Sequence, residues 1–131
     1  MRVIVIGGAG LAEQVAQALE RAGDEVTVVG TDPAREVALS KAGVRAVLGD
    51  ALVPATLEAA GALRSDVLVA CTQSDEDNLV IALLAKKHFN VPRVIARVND
   101  PANEVLFDQS WGVDALVSPS TLLVAMIRGA A

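Results

Sequence analysis

Short apolar runs, RVIVI, EVTVV, AVL, DVLVAC, RVIARV and ALVS, alternate along the chain with stretches whose apolar residues recur every three to four positions. Runs without polar interruption suit strands buried on both faces, and their alternation with amphipathic segments predicts parallel β-α-β units. In the first such segment Leu11, Val15, Ala18, Leu19 and Ala22 share one helical face, Glu13, Gln17, Glu20 and Arg21 share the other, and Gly23 ends the pattern. Asp32-Pro33 predicts the start of a second helix, because Asp caps and proline tolerates the first helical position; Pro54 and Pro119 mark further starts. The order predicts an α/β, Rossmann-like doubly wound sheet of about six parallel strands with helices on both faces. Its ligand crevice would lie at the carboxyl ends of the strands, where strand order reverses. No repeat, low-complexity stretch or linker interrupts the pattern, so residues 1–131 are expected to form one domain.

Two segments carry more apolar residues than this scheme needs. In NLVIALLAKK, Leu79, Ile81, Leu83 and Leu84 cannot all face one sheet, which predicts that a partner chain covers the surplus. TLLVAMI, residues 121–127, is either a helix buried in the chain's own core or one that packs on a neighbour.

Composition narrows the function. With 53% hydrophobic residues and a net charge of −5, the chain has ample material for a core and no basic stripe for a nucleic-acid backbone. No apolar run reaches the roughly 18 residues of a membrane span, and no secretory leader is evident, so a cytoplasmic location without direct membrane insertion is expected. Cys71 is the single cysteine, which excludes an internal disulfide or a multi-cysteine zinc site. His88, the single histidine, follows two lysines at a helix end, where a cation suits the helix dipole. Asp75-Glu76-Asp77 falls in a first helical turn and reads as capping.

The stretch VIVIGGAGLAEQVAQAL, residues 3–19, reads as strand, glycine turn and helix. Two registers of the dinucleotide fingerprint are available, Gly8-x-Gly10-x-x-Glu13 and Gly7-x-Ala9-x-x-Ala12. The third position packs the helix on the strand, where Ala fits and Glu does not, so the second register is preferred. Gly8 and Gly10 keep the loop nearly free of side chains, and an anion can rest on the helix amino end. A nicotinamide dinucleotide also calls for an acid at the end of the second strand; that end is Gly30, and the next carboxylate, Asp32, serves as a helix cap. Thr31 and Arg35 offer a ribose 2′-phosphate an alternative anchor, while the plainer reading of Arg35 is a solvated helix residue. Asp50 follows Gly49 at a strand's carboxyl end, either capping its loop or accepting from a ligand. Cys71 reads as a small buried hydrophobe. Arg97, at the end of an apolar strand, should find an anionic partner, a carboxylate or a nucleotide phosphate.

VLGDA (47–51), SDEDNLVIALLAKK (74–87), VPRVIARVNDP (91–101), EVLF and GVDALVSP occur in an order and at spacings that resemble the amino-terminal nucleotide-binding domain of the RCK/KTN family, the cytosolic regulators of potassium channels and Trk/Ktr transporters. The resemblance runs nearly collinearly from Arg2 to about Met126. It implies an adenine nucleotide, NAD(H) or ATP/ADP, bound across the carboxyl edge of the sheet. It also implies a homodimer or larger ring attached to a membrane potassium channel or transporter subunit at the inner membrane. By position, Gly7, Gly8, Ala9 and Leu11 would meet phosphates, Asp50 and Ala51 would border the adenosine, and Cys71 and Thr72 would line the crevice. With Gly10, Gly30, Thr31, Asp32 and Arg97 these residues form the candidate binding set. Three departures accompany the resemblance: Gly10 stands where the family commonly has an arginine, and Gly30 where it commonly has an acid. The calcium carboxylates of one channel-linked branch fall on Cys71, Arg97 and Asn99, which cannot form a hard oxygen site. No metal site and no catalytic residue is expected, since the chain has no tyrosine for a reductase Tyr-Lys pair and no acid–base partner for its histidine. A nucleotide-sensing regulatory domain is thus the first reading. An assembly module with a decayed pocket, or a small NADP-dependent reductase, are its alternatives.

Overall fold

The computed structural model describes residues 1–8 and 10–129. Among them, β1 (Arg2–Ile6), β2 (Glu25–Gly30), β3 (Arg45–Leu48), β4 (Val67–Ala70), β5 (Arg93–Arg97) and β6 (Ala115–Val117) form one sheet in the order β3-β2-β1-β4-β5-β6. Every pairing is parallel, with Val5 opposite Val28 on one side and Val69 on the other. The order reverses between β1 and β4, which places the crevice of a doubly wound sheet above their carboxyl ends.

Pleat alternation divides the core in two. Val3 and Val5 of β1 face α1 (Leu11–Arg21) and α2 (Pro33–Lys41), where they meet Ala12, Ala16, Val26, Val28 and Leu39. Ile4 and Ile6 face the opposite way, towards α3 (Pro54–Ala59) and α4 (Asp75–Leu83), and pack in a cluster with Leu57, Leu68, Ile81 and Val94. Leu57, Leu68 and Val94 are fully buried, each worth about 1.5–3 kcal/mol relative to exposure.

The helix boundaries follow local chemistry. The Asp32 carboxylate accepts from Ala34 N at 3.0 Å and Ser74 Oγ from Asp77 N at 3.2 Å, capping α2 and α4. Pro54 and Pro119 open α3 and α5 (Pro119–Ile127), and Gly23, at φ 94°, takes the left-handed turn after α1.

The structure differs from expectation at both surplus helices. α4 continues through a π-helical turn, Leu84–His88, and packs between the sheet and a 3₁₀ turn at Gln109–Trp111. Leu79, Ile81, Ala82 and Ala85 are buried and Leu83 and Leu84 half-buried, so the chain's own two walls cover most of what a partner was expected to cover; Val80 is its exposed apolar residue. α5 behaves oppositely. None of its residues is buried, and Leu122, Leu123, Val124, Met126 and Ile127 stand exposed, which removes the reading of a helix within the chain's own core.

Candidate functional site

The crevice begins where β1 runs out. Gly7 lies so close to the end of β4 that a Cβ there would sit 2.7 Å from the Cys71 carbonyl oxygen and 2.9 Å from Cys71 Sγ, so only glycine fits. Gly10, at φ 84°, turns the chain into α1. Ala12 is fully buried against the sheet while Glu13 lies off that packed face with its carboxylate on Arg35, the arrangement of the Gly7-x-Ala9-x-x-Ala12 register. Ala9 itself falls outside the described residues.

A cavity of about 250 Å³ opens above this turn. Gly7 and Gly8 from the turn, Gly30 and Thr31 after β2, Asp50 and Ala51 after β3, and Thr72 after β4 line it. Its far wall is Asp77 and Ile81 of α4. Asp50 is exposed and caps its own loop, with Oδ1 accepting from Leu52 N at 2.9 Å. Gly49, whose N–H donates to Gly30 O at 2.9 Å, brings that loop against the end of β2.

The other expected residues lie outside this lining. Gly10 and Leu11 sit at the start of α1, and Asp32 is directed into its own helix cap. Cys71 shares its pleat face with Val67 and Val69, so its thiol packs in the cluster beneath α1 and not into the crevice. Burial pushes that thiol's pKa up, against the opposing pull of the Arg97 and Arg35 guanidiniums. Of the two partners expected for Arg97, no carboxylate pairs with it among the described residues, and its Nε is buried without a hydrogen-bond partner there.

Arg35 is the clearest departure from expectation. Far from being solvated, its side chain, 22% exposed, reaches back over the crevice. Nε donates to Glu13 Oε1 at 2.6 Å, Nη1 donates to Gly7 O at 3.1 Å, and Nη2 is buried with no partner among the described residues.

Two residues read as a cap and as part of an apolar helix turn out to position the β4 side. Asn78 is fully buried; its Oδ1 accepts from Thr72 N at 2.9 Å and Thr72 Oγ1 at 2.7 Å, and its Nδ2 donates to Thr72 O and Arg97 O. The nearly buried Asp75 carboxylate accepts from Asn99 N at 2.6 Å, Asn99 Nδ2 at 2.9 Å, Asp100 N at 2.9 Å and Asn103 Nδ2 at 2.8 Å. Burial raises its pKa, but the bonds from Asn103, Asn99 and Asp100 outweigh it and hold the carboxyl below its ordinary value. An amide at the head of an apolar helical run was the available signal for Asn78.

A larger groove of about 490 Å³ lies at the opposite, amino edge of the sheet, beside Arg2, Arg45 and Arg64. It is the weaker candidate. Arg2 is paired with Glu25 and Arg45 donates to Ala59 O, and the groove borders the carboxyl end of α3, whose dipole disfavours anions.

The chain matches the TrkA-N domain family over residues 3–119. It is 40% identical over 130 residues to the Trk system potassium uptake protein TrkA of Mycobacterium tuberculosis, covering 99% of this chain and 59% of that protein. The TrkA-N domain of the inner membrane protein ybaL from Escherichia coli superimposes with a TM-score of 0.89 at 20% identity, over 98% of this chain and 94% of that one. The GsuK channel bound to NAD gives 0.81 at 20% identity, over 96% and 22% of the two chains. The AMP-bound Kef carboxyl-terminal domain of Shewanella denitrificans gives 0.81 at 24%, over 97% and 77%. At these identities the structural likenesses are of fold. The match across nearly the whole strand-and-helix series, together with the relative at 40% identity, makes this chain a member of the TrkA-N domain family.

Proposed function

We propose that the chain is the adenine-nucleotide-sensing part of a regulatory protein of potassium uptake. It would work in the cytoplasm as one domain, within a homodimer or larger ring that docks on a membrane transporter or channel. The observation that carries the reading is the crevice at the β1/β4 reversal, which joins a side-chain-poor glycine turn at a helix amino end to a carboxylate at the end of β3. Backbone N–H groups of the Gly7–Gly8 turn would take phosphate, Asp50 would accept from the adenosine, and Thr72 would border it. The fit is supported by Gly8, where a Cβ would come to 3.4 Å from Arg35 Nη1, so that a longer side chain there would enter the space between the turn and the guanidinium. GsuK bound to NAD and the AMP-bound Kef domain share this fold, which supports an adenine nucleotide as the ligand class.

Assembly is supported by α5, whose exposed Leu122, Leu123, Met126 and Ile127 form an apolar surface that a neighbouring subunit can cover. The reading assigns no catalytic role. Among the described residues the ionisable groups lining the crevice are Arg35, Asp50 and Asp77, while His88 is exposed on a remote helix end.

Calorimetric titration with AMP, ADP, ATP and NAD tests the reading directly. Micromolar to submillimolar binding is expected, weakened for every adenine nucleotide by Asp50→Ala. Absence of heat with all four, in a protein that melts cooperatively, would leave only the assembly role.

A further inference from the structure

The β2 end of the crevice has an unusual charge arrangement. Gly30 stands where a carboxylate would accept from the ribose hydroxyls of the adenosine, and the space that carboxylate would enter is held by a guanidinium: a Cβ on Gly30 would lie 3.5 Å from Arg35 Nη1. Arg35 presents five donors in a planar fork. Nε is engaged by Glu13 and Nη1 by Gly7 O, but Nη2 is buried and unpaired among the described residues, although buried donors nearly always have partners. Thr31 adds a hydroxyl to the same rim.

We propose that this crevice selects an adenine nucleotide carrying a phosphate on the ribose 2′-hydroxyl, and that Arg35 receives that phosphate. The proposal rests on the adenine-nucleotide reading above and specifies its ligand. A carboxylate at the end of β2 binds a free 2′-hydroxyl and repels a 2′-phosphate; an arginine with no such acid beside it does the reverse. Glu13 is the internal rival. Its carboxylate lies 2.6 Å from Arg35 Nε and partly neutralises the guanidinium in the absence of ligand, and at 31% exposure it has solvent to turn into when a phosphate arrives. The proposal therefore gives two neighbouring side chains opposite effects: Arg35 favours the 2′-phosphate and Glu13 opposes it. A purely structural Arg35–Glu13 tie would affect all nucleotides alike.

The test is calorimetric titration of the parent, Arg35→Gln, Glu13→Gln and Gly30→Asp with adenosine 2′,5′-bisphosphate, adenosine 3′,5′-bisphosphate as a control of equal charge, and 5′-AMP. The parent should bind the 2′,5′ isomer at least about tenfold more tightly than 5′-AMP and more tightly than the 3′,5′ isomer, as expected for one charge-assisted hydrogen bond or more. Arg35→Gln should abolish the difference and Glu13→Gln should widen it. Gly30→Asp, which sets a carboxylate against the same guanidinium, should reverse the order; it also serves where Arg35→Gln does not fold. Equal binding of the 2′,5′ isomer and either comparison ligand by the parent would overturn the proposal and leave the adenine-nucleotide reading standing. So would a preference that survives Gly30→Asp. No binding of any of the three would overturn both.

Discussion

Replacing Asp75 with Asn removes one oxygen and one charge while keeping the shape of the side chain. In the parent, Oδ1 takes two donors from Asn99, and Oδ2 takes the Asp100 N–H and the Asn103 amide. An asparagine has a single acceptor, so whichever way its amide turns, two of the four donors face an NH₂ group. The donors are only partly shielded from water, so each lost bond costs about 0.5–1.5 kcal/mol, giving a loss of about 1–3 kcal/mol against the roughly 5–15 kcal/mol that holds a domain together. For a chain of this length the loss should appear as a fall in melting temperature of at least about 3 °C. The pH dependence adds a second readout. Because the native carboxyl titrates below its ordinary value, its stabilisation is fully present above about pH 4 and disappears as the pH falls through the lowered native value. The gap between parent and Asp75→Asn should therefore be constant from pH 7 to about pH 4 and close in more acidic solution. Differential scanning calorimetry across that range checks both statements. A variant melting within about 2 °C of the parent at pH 7 would refute the assignment of Asp75 as the anchor of the 99–103 loop.

Three further expectations follow from packing. Gly7→Ala drives a Cβ into the Cys71 carbonyl and should cost about 1–3 kcal/mol in urea denaturation; an unchanged midpoint would mean that the turn can move away from β4. Cys71, buried with its pKa raised, should react with a chromogenic disulfide at pH 8 far more slowly in the native protein than in urea, and comparable rates would place the thiol in solvent. Leu123→Glu should lower the mass measured by light scattering while leaving the protomer's melting within about 1 °C in dilute solution, since that side chain is already exposed; a parent that is monomeric at micromolar concentration would remove α5 as an assembly surface.

Much of the fold was legible because its causes are local. Unbroken apolar runs identify parallel strands, and Asp32, Pro54 and Pro119 mark helix starts through groups within three residues of themselves. The Ala12 register was legible for the same reason: it is a question of which side chain fits under a helix. The crevice was less so. Arg35 looked solvated because its partners, Glu13 and Gly7, lie 22 and 28 residues away, and nothing in PAREVALSK points to them. Asp75 looked like an ordinary first-turn acid because its donors lie 24 to 28 residues on, in a loop brought back only by β5. The family resemblance implies a crevice position for Cys71, whereas pleat parity, which sets it with Val67 and Val69, turns it beneath α1 as the small buried hydrophobe its residue type suggests. The surplus apolar character of α4 was real, but its second wall is the turn carrying Trp111, twenty and more residues downstream.

The Asn78 amide joins Thr72 to Arg97, and so ties the chain leaving β4 to the chain leaving β5 by bonds shielded from water. Among the described residues the loops after β2 and β3 share one backbone bond, Gly49 N–H to Gly30 O, and no buried side chain ties them; beyond it they are held by the exposed caps of Asp32 and Asp50. The two banks of the crevice thus differ in stiffness. Amide hydrogens on the β4–β5 bank should exchange only with opening of the core, and those of residues 31–34 and 50–53 through small local fluctuations. A ligand spanning both banks would order the soft one against the rigid one, so the free energy of nucleotide occupancy would be expressed mainly as movement of the β2 and β3 loops.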